Sequence, residues 1–279
     1  MTHIPLPRPE YPRPQFVREN WINLNGTWSY AFDPGKSGVQ RGLQASQGFD
    51  APITVPFCPE SALSGVQHTD FIERMWYHRP IHIPAGWAGK RIVLHFGAVD
   101  YESEVFIDGH SVGRHWGGTS SFGYDLTRHV RPGASHDLVL YVRDETRSGV
   151  QPGGKQCPDY KSRRCHYTRT TGIWQTVWME AVDPRGLESC QIVPDLDGSR
   201  FVLLPRFYAL ERGMRFRATL LEDGAIVSQV EIPAGNQIPC SLPIDAPKTW
   251  SPSEPFLYDL TLEVLSGRTV IDSVRAYAG

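Results

Sequence analysis

Alternation with a period of two, in short runs closed by Gly, Pro, Asp or Asn, constrains this chain more than any other feature. In the run from Gly172 to Val182, Ile173, Val177 and Met179 face one way and Trp174, Trp178 and Glu180 the other, the repeat of a β-strand rather than of a helix. Arg91 to Gly97, Ser103 to Gly109 and His136 to Asp144 follow the same rule. Asp108-Gly109 is a two-residue hairpin signal, because both positions of a type I′ turn require positive φ. With 26 Gly and 23 Pro breaking the chain, no window holds a long amphipathic helix with caps. The fold class read from the pattern is all-β, built as sandwiches.

A breaker cluster at Asp183-Pro184-Arg185-Gly186 divides the chain. Seven strand-like runs follow it between Leu187 and Gly279, the number and spacing of an immunoglobulin-like sandwich, although no Cys…Trp…Cys pattern marks an antibody-type domain. The longer stretch before the boundary suits a jelly roll. Residues 1–17 carry five prolines and read as an extended Pro-rich arm, 18–184 as the jelly roll, and 185–279 as the immunoglobulin-like domain.

Charge and cysteine usage exclude several classes of function. A formal net charge of −2 gives no basic face for nucleic acid. Met1 to Asn20 has no apolar core of a secretory leader or membrane span, which favours the cytoplasm and argues against a membrane partner. Five cysteines in a chain of 279 residues form no compact disulfide framework and read as reduced. Cys157, Cys165 and His166 do not have standard zinc spacing, so neither a metal nor another cofactor is expected. Asn25-Gly26-Thr27 fits a glycosylation sequon but reads more simply as a tight turn before a strand. Trp28, Trp76, Trp174, Trp178 and Trp250 are expected first as buried core and interface anchors.

Several stretches, taken in order, resemble glycoside hydrolase family 2, which contains β-galactosidases, β-glucuronidases and β-mannosidases. They include Leu24-Asn25-Gly26-Thr27-Trp28, Trp76-Tyr77-His78-Arg79, Val99-Asp100-Tyr101, Val105 to Gly109, Arg143-Asp144, Lys155-Gln156 and Gly172-Ile173-Trp174-Gln175. Trp250-Ser251-Pro252 with Leu257-Tyr258 is similar to the motif of that family's immunoglobulin-like domain. The resemblance implies a third domain, a (β/α)8 barrel bearing the catalytic carboxylates, which is absent here. The family's acid/base glutamate follows an asparagine, and none of Asn20, Asn23, Asn25 and Asn236 precedes a glutamate. The chain is therefore expected to be inactive alone, as the front part of a β-galactosidase-like enzyme. Its partners would be a β-linked sugar and the missing barrel, with homo-oligomerisation left open. A free-standing carbohydrate-binding module and a structural scaffold are the alternatives.

One loop has a claim to function. Between Asp144 and Ile173 lies a polar insertion containing Lys155, Gln156, Lys161, Arg163, Arg164 and His166, and binding residues concentrate on such loops. The resemblance gives Asp144 a sugar contact. Its place at a strand end suggests an outward carboxylate, with pairing to the loop as the structural alternative. Asp144, Lys155 and Gln156 are the candidate substrate-binding residues.

Overall fold

The computed structural model describes residues 6–279. Among these the chain forms nineteen strands and three short 3-10 turns, with no α-helix and no (β/α)8 barrel. The all-β sandwich class therefore holds. By internal contacts the chain forms two compact units, residues 6–12 with Trp21–Ala181 and Arg13–Asn20 with Val182–Gly279.

In the first unit, a six-stranded antiparallel sheet runs in the order Ala51–Val55, Gly26–Phe32, Arg74–His82, Ser135–Arg143, Glu102–Ile107, His110–Trp116. A four-stranded sheet contains Trp21–Asn23, Val177–Val182, Arg91–Phe96 and Phe122–Asp125. Alternation decides what lies between the sheets. Leu138, Leu140 and Val142 from one sheet meet Ile92, Leu94, Phe96, Val177 and Met179 from the other in a single buried cluster, as face-to-face packing requires. The Asp108-Gly109 turn has φ of 48° and 81°, the type I′ geometry expected of this hairpin.

The outer faces are covered as well. Trp76 is fully buried, packed with Phe106 and Val139 and flanked by Leu43 and Phe49. On the four-stranded sheet, the Glu180 carboxylate accepts from the Tyr11 hydroxyl at 3.2 Å and lies 3.0 Å from His95 Nε2. His95 stacks on Trp178 with ring centroids 4.0 Å apart. Asn25 is buried, its Nδ2 donating to the Pro7 carbonyl at 3.0 Å and to Thr176 Oγ1 at 3.2 Å, and its Oδ1 accepting from Val177 N at 3.0 Å. Gly26 follows it at φ 99°. The sequon is thus a structural turn whose amide has no room for a glycan in the folded chain.

In the second unit, Leu187–Asp195, Arg200–Phe207 and Cys240–Pro243 form one sheet. Ala225–Pro233, Met214–Glu222, Tyr258–Ser266 and Thr269–Ala278 form the other. The expected arm splits between the units, and its residues 1–5 lie outside the described set. Val17 bridges Arg275 through backbone bonds of 2.7 and 2.9 Å, and Phe16 joins the second unit's core. Arg18 forms a two-toothed ion pair with Asp272, at 3.0 and 2.9 Å, both side chains being nearly buried.

Trp250 departs from the expected burial. It is 51% exposed, while Trp28, Trp76 and Trp178 are at most 2% exposed. No strand runs between Pro243 and Tyr258, and the segment turns on a Ser251–Glu254 backbone pair of 3.0 and 3.1 Å. Tyr258 is the buried anchor instead, its hydroxyl accepting from Lys248 N at 2.8 Å.

Breaking a buried ion pair by removing one partner strands the other charge, at a cost of about 3–5 kcal/mol. Arg18→Ala is accordingly expected to lower the second unit's unfolding free energy by about 3 kcal/mol or more. Chemical denaturation followed by a second-unit probe measures this, and an unchanged midpoint would contradict it.

Candidate functional site

The site grows from the end of one strand. Asp144 has the parity of Leu138, Leu140 and Val142, and its N–H continues the ladder by donating to the Glu73 carbonyl at 3.1 Å. Period two therefore turns its side chain inward. Asp144 is 3% exposed, which corrects the expectation of an outward carboxylate. Its Oδ1 accepts from Gln151 Nε2 at 2.7 Å and Thr146 Oγ1 at 3.0 Å, and its Oδ2 from Thr171 Oγ1 at 2.8 Å. Burial pushes this carboxyl above the usual range, against the pull of these bonds and of Arg169.

Gln156 is also buried, with both ends of its amide engaged. Oε1 accepts from Thr170 N at 2.8 Å, and Nε2 donates to Asp100 Oδ2 at 2.7 Å. Asp100 pairs with Gly172 in a two-residue ladder that also joins Val99 to Ile173. Burial, with the Asp144 and Glu60 carboxyls nearby, pushes Asp100 up to about 7. Glu60 is raised to about 7, again chiefly by burial, while its Oε2 accepts from Thr171 N at 3.2 Å. Gln156 and Asp144 are thus brought together through neighbouring residues, Thr170 and Thr171. Lys155 is exposed, and its ammonium is outside this arrangement.

Asp100 and Gln156 line a cleft of about 490 Å³, with Tyr101, Tyr167 and Trp174 as its aromatic walls. Two glycines permit the geometry. A Cβ on Gly118 would lie 2.5 Å from Asp100 Oδ1, and one on Gly172, at φ 72°, would lie 2.2 Å from the Tyr77 hydroxyl. Trp174 Nε1 donates to the Gly118 carbonyl at 2.7 Å, which fixes the indole against the cleft wall. A carboxyl, an amide and aromatic faces suit a ligand with both hydroxyls and apolar C–H surface.

The loop has anchors of its own. The Arg147 and Arg169 guanidiniums stack on the Phe71 ring at 3.8 and 4.1 Å. Arg169 is buried and donates to the carbonyls of Cys157 at 3.0 Å and Asp159 at 2.6 Å. Lys161, Arg163 and Arg164 are exposed, Arg163 pairing with Asp159 at 2.6 Å, so this part of the basic cluster is a solvated face. Sequence reasoning missed Asp100 and Glu60 as site residues. An acid between Val99 and Tyr101 at a strand end was the available signal for Asp100, and Glu60 carried none.

Comparisons with known proteins bear on the chain as a whole. Residues 21–151 match the model "Glycosyl hydrolases family 2, sugar binding domain", and residues 218–279 match "Glycosyl hydrolases family 2". A β-glucuronidase of Paenibacillus borealis is 24% identical over 267 residues, covering 91% of this chain and 44% of that protein. A β-galactosidase of Thermoanaerobacter pseudethanolicus is 22% identical over 213 residues, covering 73% of this chain and 28% of that protein. The chain thus spans less than half the length of these curated relatives. Among solved structures, the β-glucuronidase of Ruminococcus gnavus in complex with D-glucaro 1,5-lactone superposes with a TM-score of 0.75 at 20% identity, covering 94% of this chain and 46% of that one. With the same family matched in both of its units, the chain belongs to glycoside hydrolase family 2.

Proposed function

We propose that this chain is the non-catalytic, sugar-binding front part of a family 2 β-glycosidase, and that the Asp100 cleft completes the sugar pocket of a catalytic barrel. The observation that carries this reading is the convergence of Asp100, Gln156, Tyr101 and Trp174 on one cleft. A hexose presents hydroxyls at its rim and C–H groups on its faces, and this wall offers a matching partner for each. Hydrolysis needs two carboxyls about 5–10 Å apart across the scissile bond. Here, of Glu60, Asp100 and Asp144, Asp100 alone lines the cleft, and every oxygen of Asp144 already accepts from the protein. The retaining two-step reaction typical of the family therefore belongs to the barrel.

The sugar is best read as neutral, as in a β-galactoside. Among the described residues no Lys, Arg or His lines the cleft, so a uronate carboxylate would find no counter-charge in it and would face Asp100. Within this pocket Asp100 and Gln156 are the groups that meet sugar, whereas Asp144 acts through the loop it staples. Lys155 contributes charge at the loop surface.

Three outcomes are expected. The isolated chain shows no turnover of nitrophenyl β-galactoside, β-glucuronide or β-mannoside; activity that follows the protein through repurification would overturn the assignment. In the complete enzyme, Asp100→Ala lowers kcat/KM by about ten- to a hundredfold, the loss of one or two polar contacts to a bound sugar. Kinetics indistinguishable from the parent would remove Asp100 from the pocket. Asp144→Asn sets an amide N–H₂ against buried donors and costs about 1–3 kcal/mol. Calorimetry should therefore show a melting point several degrees lower, with kcat/KM little changed; lost turnover at an unchanged melting point would restore the direct sugar contact.

A further inference from the structure

Three carboxyl groups from three separate segments meet where the loop of residues 145–171 joins the sandwich. Glu60 follows the strand Ala51–Val55, Asp100 ends the short strand Val99–Asp100, and Asp144 follows Ser135–Arg143. Their exposures are 7%, 6% and 3%. Among the described residues, Asp100 Oδ1 and Glu60 Oε1 are buried with no nitrogen or oxygen donor, the Cys58 thiol being the group beside the Glu60 carboxyl. Cys58 on its own turn, Tyr77 from the strand Arg74–His82, and Asp100 all face Glu60. Asp100 faces Asp144 and Glu60. Arg169 is the cation that acts on Asp144, and among the described residues no cation is paired with Glu60 or Asp100. Carboxylates that share a buried space without a counter-ion cannot all ionise together, and some must keep their protons.

The loop makes its hydrogen bonds to these same acids. Gln151, Gln156 and Thr171 each donate from a side chain, to Asp144, Asp100 and Asp144 respectively, and Thr171 N donates to Glu60. Loop residues Gly153, Gly154, Gln156, Tyr167 and Thr170 wall one side of the cleft. We infer that this loop is a proton latch: protons held by Glu60 and Asp100 keep it seated on the sandwich, and their loss loosens it and opens the cleft. The stacking of Arg147 and Arg169 on Phe71 does not depend on protonation in this range, so the loop pivots on Phe71 and stays attached.

The sign follows from the direction of the shifts. Both acids rise to about 7 from 4.5 and 3.8, so the folded loop binds protons that an open one releases. The seated state is favoured most below the ordinary carboxylate range. That preference declines as pH rises and is spent once pH exceeds about 7.

Hydrogen exchange of the full chain between pH 5.5 and 8.5, corrected for the intrinsic rate, tests the latch without any sugar. Its failure is therefore separate from failure of the sugar-binding reading. Protection of peptides within 145–171 is expected to fall about tenfold across neutrality while that of the strand Ser135–Arg143 stays constant. Glu60→Gln combined with Asp100→Asn, which fixes both groups neutral, should keep the loop protected throughout. Carbon-13 carboxyl shifts of the unaltered chain give a second measure if that variant does not fold. Titration of both acids below pH 5, or loop protection that does not change with pH, would overturn the latch.

Discussion

Two residues of ladder hold the site together. The pairing of Gly172 with Asp100 and of Ile173 with Val99 returns the loop to the sandwich within reach of its origin at Asp144. Without this return, the segment from Asp144 to Thr171 would be a long excursion with little reason to adopt one shape. With it, Thr170 and Thr171 sit where one can address Gln156 and the other both Asp144 and Glu60. Gly172 is the enabling residue, because its positive φ and missing Cβ let the backbone pass against the Tyr77 hydroxyl.

The energetic character of the site is set by what it lacks. Buried carboxyls are normally matched by a cation or by enough donors to satisfy each oxygen. Asp144 follows that rule, with three side-chain donors and Arg169 nearby. Glu60 and Asp100 do not, each keeping one oxygen that no nitrogen or oxygen donor among the described residues reaches. Unsatisfied polar groups of this kind destabilise the closed fold, and they persist where function uses them.

Much of the scaffold was legible because alternation is a backbone property that survives without knowledge of contacts. The seven runs after Leu187 became seven strands, and the Asp108-Gly109 signal became a type I′ turn. The same alternation also held the answer for Asp144, since counting by two from Leu138 puts it on the inner face. Reading it as outward gave the strand end more weight than the parity. Glu60 and Asp100 were not legible as a pair, because 40 residues of chain separate them and no motif or spacing links the two. Of the tryptophans expected as anchors, Trp28, Trp76 and Trp178 sit on inner strands and are buried, whereas Trp250, on a segment without a ladder, is not.

The second unit takes Phe16 into its core and Val17 onto its edge strand, so it is not a continuous stretch of chain. A gene segment encoding 182–279 alone would lack the aromatic plug and would leave Asp272 without Arg18. Recombination that moved the second unit as the single cassette 182–279 would therefore produce an unfinished sandwich. Any shuffling of this sandwich must carry residues 13–20 along with it.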